Sequence, residues 1–197
     1  MLSVREYYNI LAFNYENLIE SNSVNAVVMH NEIKKIFKKH NIKKGNILDI
    51  GCGPGNLKKY LGDNFFYTGV DFSKAMLTQA KNKGYKVIEG KIEDILTQIP
   101  DKSFDYILAI SSLHFIKDID SIIKELERIS IKGFCITLDR ITNRYKRGFG
   151  KIIKDDIYNH FNLKIKDLDD DIKMIGWISP RDGEDIKVRV IFKGLKN

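Results

Sequence analysis

Ile47-Leu-Asp-Ile-Gly-Cys-Gly-Pro-Gly-Asn-Leu57 is an apolar run that breaks into glycines and resumes as a helical pattern. Gly51, Gly53 and Gly55 follow G-x-G-x-G, and residues without a Cβ let the backbone turn sharply and approach a ligand closely. Strand, glycine turn and helix in this order make the first step of a doubly wound sheet, whose ligands bind outside the carboxyl ends of the strands. A glycine turn alone says little. Its context adds two acids, Asp49 just ahead of it and Asp71 at the end of the next apolar run, Tyr67-Thr-Gly-Val-Asp-Phe-Ser73. A carboxylate about 20 residues past such glycines is placed to accept hydrogen bonds from a ribose diol. Dinucleotide sites prefer G-x-G-x-x-G. Here Asn56 takes the place of that last glycine, which comes one residue sooner, and the spacing disfavours NAD.

Outward from this turn, apolar runs at Asn46–Ile50, Phe66–Val70, Lys86–Glu89, Tyr106–Ile110 and Phe134–Leu138 alternate with helical patterns at Asn56–Leu61, Ser73–Lys83, Ile92–Gln98 and Ile119–Ile129. Short apolar strands separated by helices predict right-handed βαβ units and a parallel sheet covered on both faces. The fold class is therefore α/β, doubly wound. Two amphipathic helices precede it, Val4 to about Ile19 and Val24 to Lys39. After the fifth strand, Asp155–Phe161 reads as helical. Lys173–Ile178 and Lys187–Phe192, joined by the turn Pro180-Arg-Asp-Gly183, read as a hairpin with one strand antiparallel to the rest.

The chain has 197 residues, the length of one domain at about 150 residues apiece. No repeat or linker divides it. Residues 1–44 are expected to form a helical lid and 45–197 the core of a single domain spanning 1–197. Hydrophobic residues at 43% and charged residues at 30% mark a folded globular chain, and no apolar run approaches the roughly 18 residues of a membrane span. Met1-Leu-Ser-Val-Arg-Glu6 has an early acid and no apolar core behind a basic cluster, so a secretory signal is not expected. Cys52 and Cys135 cannot make a framework of bridges. These features together predict a cytoplasmic location. The net charge of +7 invites a nucleic-acid reading, but the lysines are spread along helices, as on solvated faces.

Asp49-Ile-Gly-Cys-Gly-Pro-Gly55, followed by Gly69-Val-Asp-Phe-Ser73 and Phe104-Asp-Tyr-Ile-Leu-Ala-Ile-Ser111, resembles the class I S-adenosylmethionine-dependent methyltransferases over about residues 1 to 140. The resemblance implies a Rossmann-like methyltransferase fold, a mostly parallel seven-stranded sheet ending in a C-terminal antiparallel hairpin. It implies S-adenosylmethionine as cofactor, with Gly51, Gly53 and Gly55 lining its methionine and ribose portions and Cys52 in the same turn. Asp49 would orient the loop or the cofactor's amino group, Asp71 would hold both ribose hydroxyls, and Phe72 and Met76 would flank the adenine. Family members often carry an acid after strand three, where this chain has Gly90-Lys91-Ile92-Glu93-Asp94. Lys91 cannot accept a hydrogen bond from the adenine amino group, so that role passes to Glu93 or Asp94, with the Ile92 backbone against the ring. Tyr8-Asn-Ile-Leu-Ala-Phe-Asn-Tyr15 is similar to the opening helix of the branch acting on small molecules, which implies that Tyr15 closes over the cofactor. Asn9 stands where that branch usually has Asp.

Methyl transfer from a sulfonium is an in-line displacement, governed by positioning, and a base is needed only if the acceptor keeps its proton. His114, just beyond strand four, is the candidate base. Ser111 is expected to offer backbone to the cofactor. His30, His40 and His160 lack ligand spacing and Asp169-Asp-Asp171 reads as a solvated turn, so no metal is expected. Arg140, Arg144, Lys146 and Arg147, in the basic loop 140–151, could hold an anionic group. The expected acceptor is a small molecule, methylated on O, N or C, with no membrane partner. An RNA acceptor held by the basic loop and a non-catalytic nucleoside-binding module are the alternatives.

Overall fold

The computed structural model describes residues 1–17, 24–142, 151–165, 172–178 and 183–195. Helix α1 (Val4–Leu11) runs into a 3₁₀ turn (Ala12–Asn14), and α2 (Val24–Lys39) leads to β1 (Gly45–Ile50). The alternation then proceeds through α3 (Lys58–Leu61), β2 (Phe65–Asp71), α4 (Lys74–Asn82), β3 (Lys86–Glu89), α5 (Ile92–Leu96) and β4 (Phe104–Ala109). A second 3₁₀ turn (Leu113–Phe115), α6 (Ile119–Ile129), β5 (Ser130–Asp139), β6 (Ile172–Ile178) and β7 (Asp185–Gly194) complete it. The seven strands make one sheet in the order β3-β2-β1-β4-β5-β7-β6. The first five strands are parallel, and β7 runs antiparallel to both β5 and β6.

Side chains alternate across a strand, so the wholly buried Ile47 and Leu48 of β1 feed different cores. Leu48 and Ile50 pack with α5 and α6, while Ile47 packs under α2 and α4. The i, i+3, i+4, i+7 spacing of Ile119, Ile122, Ile123 and Leu126 is the reason α6 forms and docks, all four being buried. Asp118 caps its start, accepting from the Ser121 amide at 3.1 Å. Losing a side chain such as Leu126 would cost about 2–5 kcal/mol.

Helix α1 begins in a capping box between Ser3 and Glu6. It rests on α4: Asn9 Oδ1 accepts from Ser73 Oγ at 2.7 Å and from the Ala75 amide at 3.3 Å, and Gln79 Nε2 donates to Ala12 O at 2.6 Å. Residues 155–161, expected as a helix, are irregular. Their polar groups bridge other elements instead of their own turns. Asp155 accepts from the Val4 amide at 2.6 Å, the Tyr158 amide donates to His114 O at 2.8 Å, and Phe161 O accepts from Arg189 at 2.8 Å. The Asp169–Asp171 run and most of the basic loop and of the hairpin turn lie outside the described residues.

Among the described residues, no helix is long and apolar enough to cross a membrane.

Candidate functional site

The glycine turn is built from β1 outward. Its Gly51 and Cys52 amides donate to Val70 O at 2.8 and 3.1 Å, which hooks the turn onto β2. All three glycines have positive φ, 64° at Gly51, 51° at Gly53 and 73° at Gly55, a region that costs an L-residue about 1–2 kcal/mol. They differ in what surrounds them. A Cβ on Gly51 would stand 2.3 Å from that of Ser112, and one on Gly55 would crowd Tyr85 and Ala80 at 3.0–3.1 Å, whereas one on Gly53 would meet nothing within 4 Å. Gly51 and Gly55 thus let protein pack against the turn, and Gly53 leaves open space over it.

That space belongs to a solvent-open cleft above the glycine turn. Its lining is Tyr15, Met29 and His30, then Asp49, Gly51, Cys52, Gly53, Pro54, Asn56 and Leu57 of the turn and its flanks, and Ile110 and Ser111 after β4. Tyr15, Asp49, Gly51, Cys52, Gly53 and Ser111 therefore line one cleft. Met29 and His30 of α2 and Ile110 were not foreseen, because nothing local in a helix sequence says which turn overhangs a distant loop.

Asp71 sits just behind Gly53, only 7% exposed. Its Oδ2 accepts from the Gly53 amide at 3.0 Å and its Oδ1 from the Ser73 amide at 2.8 Å. A carboxylate has about four lone-pair sites, so each oxygen keeps one with which to accept from a diol. Burial raises the Asp71 pKa against the pull of those amides. Asp49 is pushed up to about 7, by burial first and further by the Asp71 charge, although the Tyr85 hydroxyl donates to it at 3.2 Å. Two desolvated acids side by side favour a cation beside them. Cys52 donates to Gly53 O, and burial with both acids nearby drives its thiol pKa well up, so it is no nucleophile.

Other expected residues stand outside the cleft wall. Gly55 packs against α4, Met76 is wholly buried, Ile92 is 6% exposed at the start of α5, and Glu93 beside it is exposed. Phe72 lies edge-on to Tyr8 with centroids 6.1 Å apart, and Tyr8 meets Phe115 in the same way at 6.4 Å. His114 is 8% exposed in the second 3₁₀ turn and does not line the cleft. Burial, with a smaller effect of His160, lowers its pKa to about 4, so its imidazole is neutral at physiological pH.

A family model described as a methyltransferase domain matches residues 48–136. An uncharacterized protein of Methanocaldococcus jannaschii is 31% identical over 157 residues, 78% of this chain and 73% of that protein. The demethylmenaquinone methyltransferase of Bacillus pumilus is 32% identical over 131 residues, 60% of this chain and 56% of the enzyme, so the chain spans little more than half its length. In fold, the chain is similar to a Synechocystis magnesium protoporphyrin IX methyltransferase solved with bound S-adenosylhomocysteine, at a TM-score of 0.67 and 15% identity over 96% of this chain and 97% of that one.

Proposed function

The chain belongs to the class I S-adenosylmethionine-dependent methyltransferases, and from that premise we propose that its acceptor is a small molecule, methylated on O, N or C by in-line displacement. The observation that carries this reading is the cleft itself, in which the glycine turn meets Tyr15, Met29, Ile110 and Ser111. A relative named for demethylmenaquinone, 32% identical, supports the same acceptor class.

The residues present suit the cofactor. Open space above Gly53 admits a nucleoside, the spare lone pairs of Asp71 suit its ribose hydroxyls, and the desolvated Asp49 suits a positive group. When bound, S-adenosylmethionine supplies the electrophile, a methyl group on a sulfonium. The chain's task is then to place that group and exclude water. Gly51 and Gly53 line the methionine and ribose portions, with Cys52 as apolar filler between them. Tyr15 covers the cleft, Ser111 meets the cofactor from the end of β4, and Phe72 stands on the adenine side. Met76 and Ile92 support the adenine from the core, and Glu93 or Asp94 takes its amino group. Residues 1–44 act as a lid over a core of 45–197 within one domain.

His114 is the proposed base, in a modest role. A neutral imidazole can take a proton, but one with a pKa of about 4 holds it weakly, so positioning carries most of the rate. Incubating the purified protein with methyl-labelled cofactor and host extract, then separating small molecules, RNA and protein, tests the acceptor class. Label should collect in the small-molecule fraction, and label mainly in RNA would overturn the reading.

A further inference from the structure

Asp139 ends β5 on the same carboxyl edge of the sheet as Asp49 and Asp71, and nothing in the cofactor reading uses it. Its neighbour across the strand ends is Ser111, held at φ 50° with its amide donating to Thr137 Oγ1 at 2.7 Å. From there the Ser111 hydroxyl reaches Asp139 Oδ1 at 3.3 Å and Met29 Sδ at 3.2 Å. One hydroxyl proton serves only one of them at a time. Ser111 and Met29 both line the cleft, so the carboxyl lies one hydrogen bond behind its wall.

The cations next to this carboxyl are turned elsewhere. Lys187 pairs with Asp185 at 3.0 Å, and Arg140 stands 4.0 Å from the same acid. Among the described residues no cation pairs with Asp139. Burial pushes its pKa up to about 6, with the Ser111 bond pulling it back, so at neutral pH a partly buried negative charge stands behind the cleft wall, joined to it by the Ser111 hydroxyl. An incoming cation with hydrogen-bond donors relieves that desolvation. The surrounding wall, from Tyr15, Met29, Leu57 and Ile110, is largely apolar.

We propose that Ser111 and Asp139 form the acceptor subsite and that it takes a compound carrying a protonated amine on an apolar body. This rests on the small-molecule reading above and narrows it. The ammonium group displaces the Ser111 proton from Asp139 Oδ1, while the apolar body lies along Met29 and Ile110. A protonated nitrogen has no lone pair with which to attack, so the pair anchors the acceptor and the methylated atom lies elsewhere on it.

The test is calorimetric titration of the whole protein, saturated with S-adenosylhomocysteine, with 2-phenylethylamine and with its neutral isostere 2-phenylethanol at about pH 8, where the carboxylate is ionised and the amine protonated. The amine should bind about 10-fold or more tighter than the alcohol, as a charge-assisted hydrogen bond implies. Asp139→Asn should shrink that preference to about 2-fold or less. Equal binding of the two probes, no binding of the amine, or an undiminished preference in Asp139→Asn would overturn the proposal. The wild-type comparison decides even if the Asp139 variant fails to fold. Label found in RNA in the fractionation experiment counts against the small-molecule reading, whereas loss of the amine preference counts against this subsite alone.

Discussion

The amide of Gly53 donates to Asp71 Oδ2 at 3.0 Å, so the glycine turn after β1 and the acid at the end of β2 are parts of one device. The bond fixes the carboxyl's direction and holds Gly53 where open space lies above it. The two neighbouring glycine positions should therefore respond differently to alanine. Gly53→Ala strains the backbone by about 1–2 kcal/mol and intrudes on the cleft, so it should melt slightly early and bind S-adenosylhomocysteine poorly. Gly51→Ala adds a 2.3 Å clash with Ser112 and should melt several degrees below Gly53→Ala. Thermal unfolding of the two variants decides it, and equal melting would show that the Ser112 contact yields freely.

Asp49 makes folding stability fall as pH rises. Its folded pKa of about 7 lies above the ordinary 3.8, so its contribution is fully present below about pH 4, is lost between there and 7, and is level above. Asp49→Asn should flatten that slope and unfold at higher urea than the wild type at about pH 8. Because the ionised form is the one that favours a cation, affinity for S-adenosylmethionine should climb between about pH 5.5 and 8, and the climb should vanish in the variant.

His114 acts with the opposite sign. Its pKa is about 4 when folded against 6.5 ordinarily, so the unfolded chain takes up a proton first and stability is lost as pH falls from about 6.5 to 4. His114→Ala should lower turnover by about 10-fold or less and leave cofactor affinity unchanged. A wild-type pH–rate profile with a steep limb near 6.5 that disappears in this variant would contradict the buried, neutral imidazole.

Asn9 fastens α1 to the start of α4, accepting from Ser73 and Ala75, two and four residues after Asp71. Asn9→Asp keeps an acceptor at this place and should bind cofactor normally. Asn9→Leu leaves the two donors unserved and should raise the KM for cofactor by about 5-fold, with a smaller effect on kcat. A kcat loss with unchanged KM would place Asn9 in the chemistry and not in the seating of α1.

The core of the fold was legible because its signals are local. Strand runs such as Lys86–Glu89 and the helix Ile119–Ile129 carry their periodicity within themselves, and both occur at the expected bounds. Residues 155–161 misled because a polar segment can place its hydrogen bonds on α1, the second 3₁₀ turn and β7 as readily as within itself, and no local pattern tells which. The site divides in the same way. Asp49, the glycines and Asp71 announce themselves by spacing along two adjacent strands. Met29 reaches the cleft through α2 and Asp139 stands behind its wall at the end of β5, far apart in the chain, so only the sheet order and the packing of α2 bring them to Ser111.

The ribose grip proposed for Asp71 is most directly tested by titrating S-adenosylhomocysteine into the wild type and Asp71→Ala by calorimetry, with NAD as control. Saturable binding by the wild type, about 100-fold or more weaker in the variant as two lost charge-assisted bonds imply, and no heat from NAD are the expected results. Undiminished affinity in Asp71→Ala, or preference for NAD, would contradict the account.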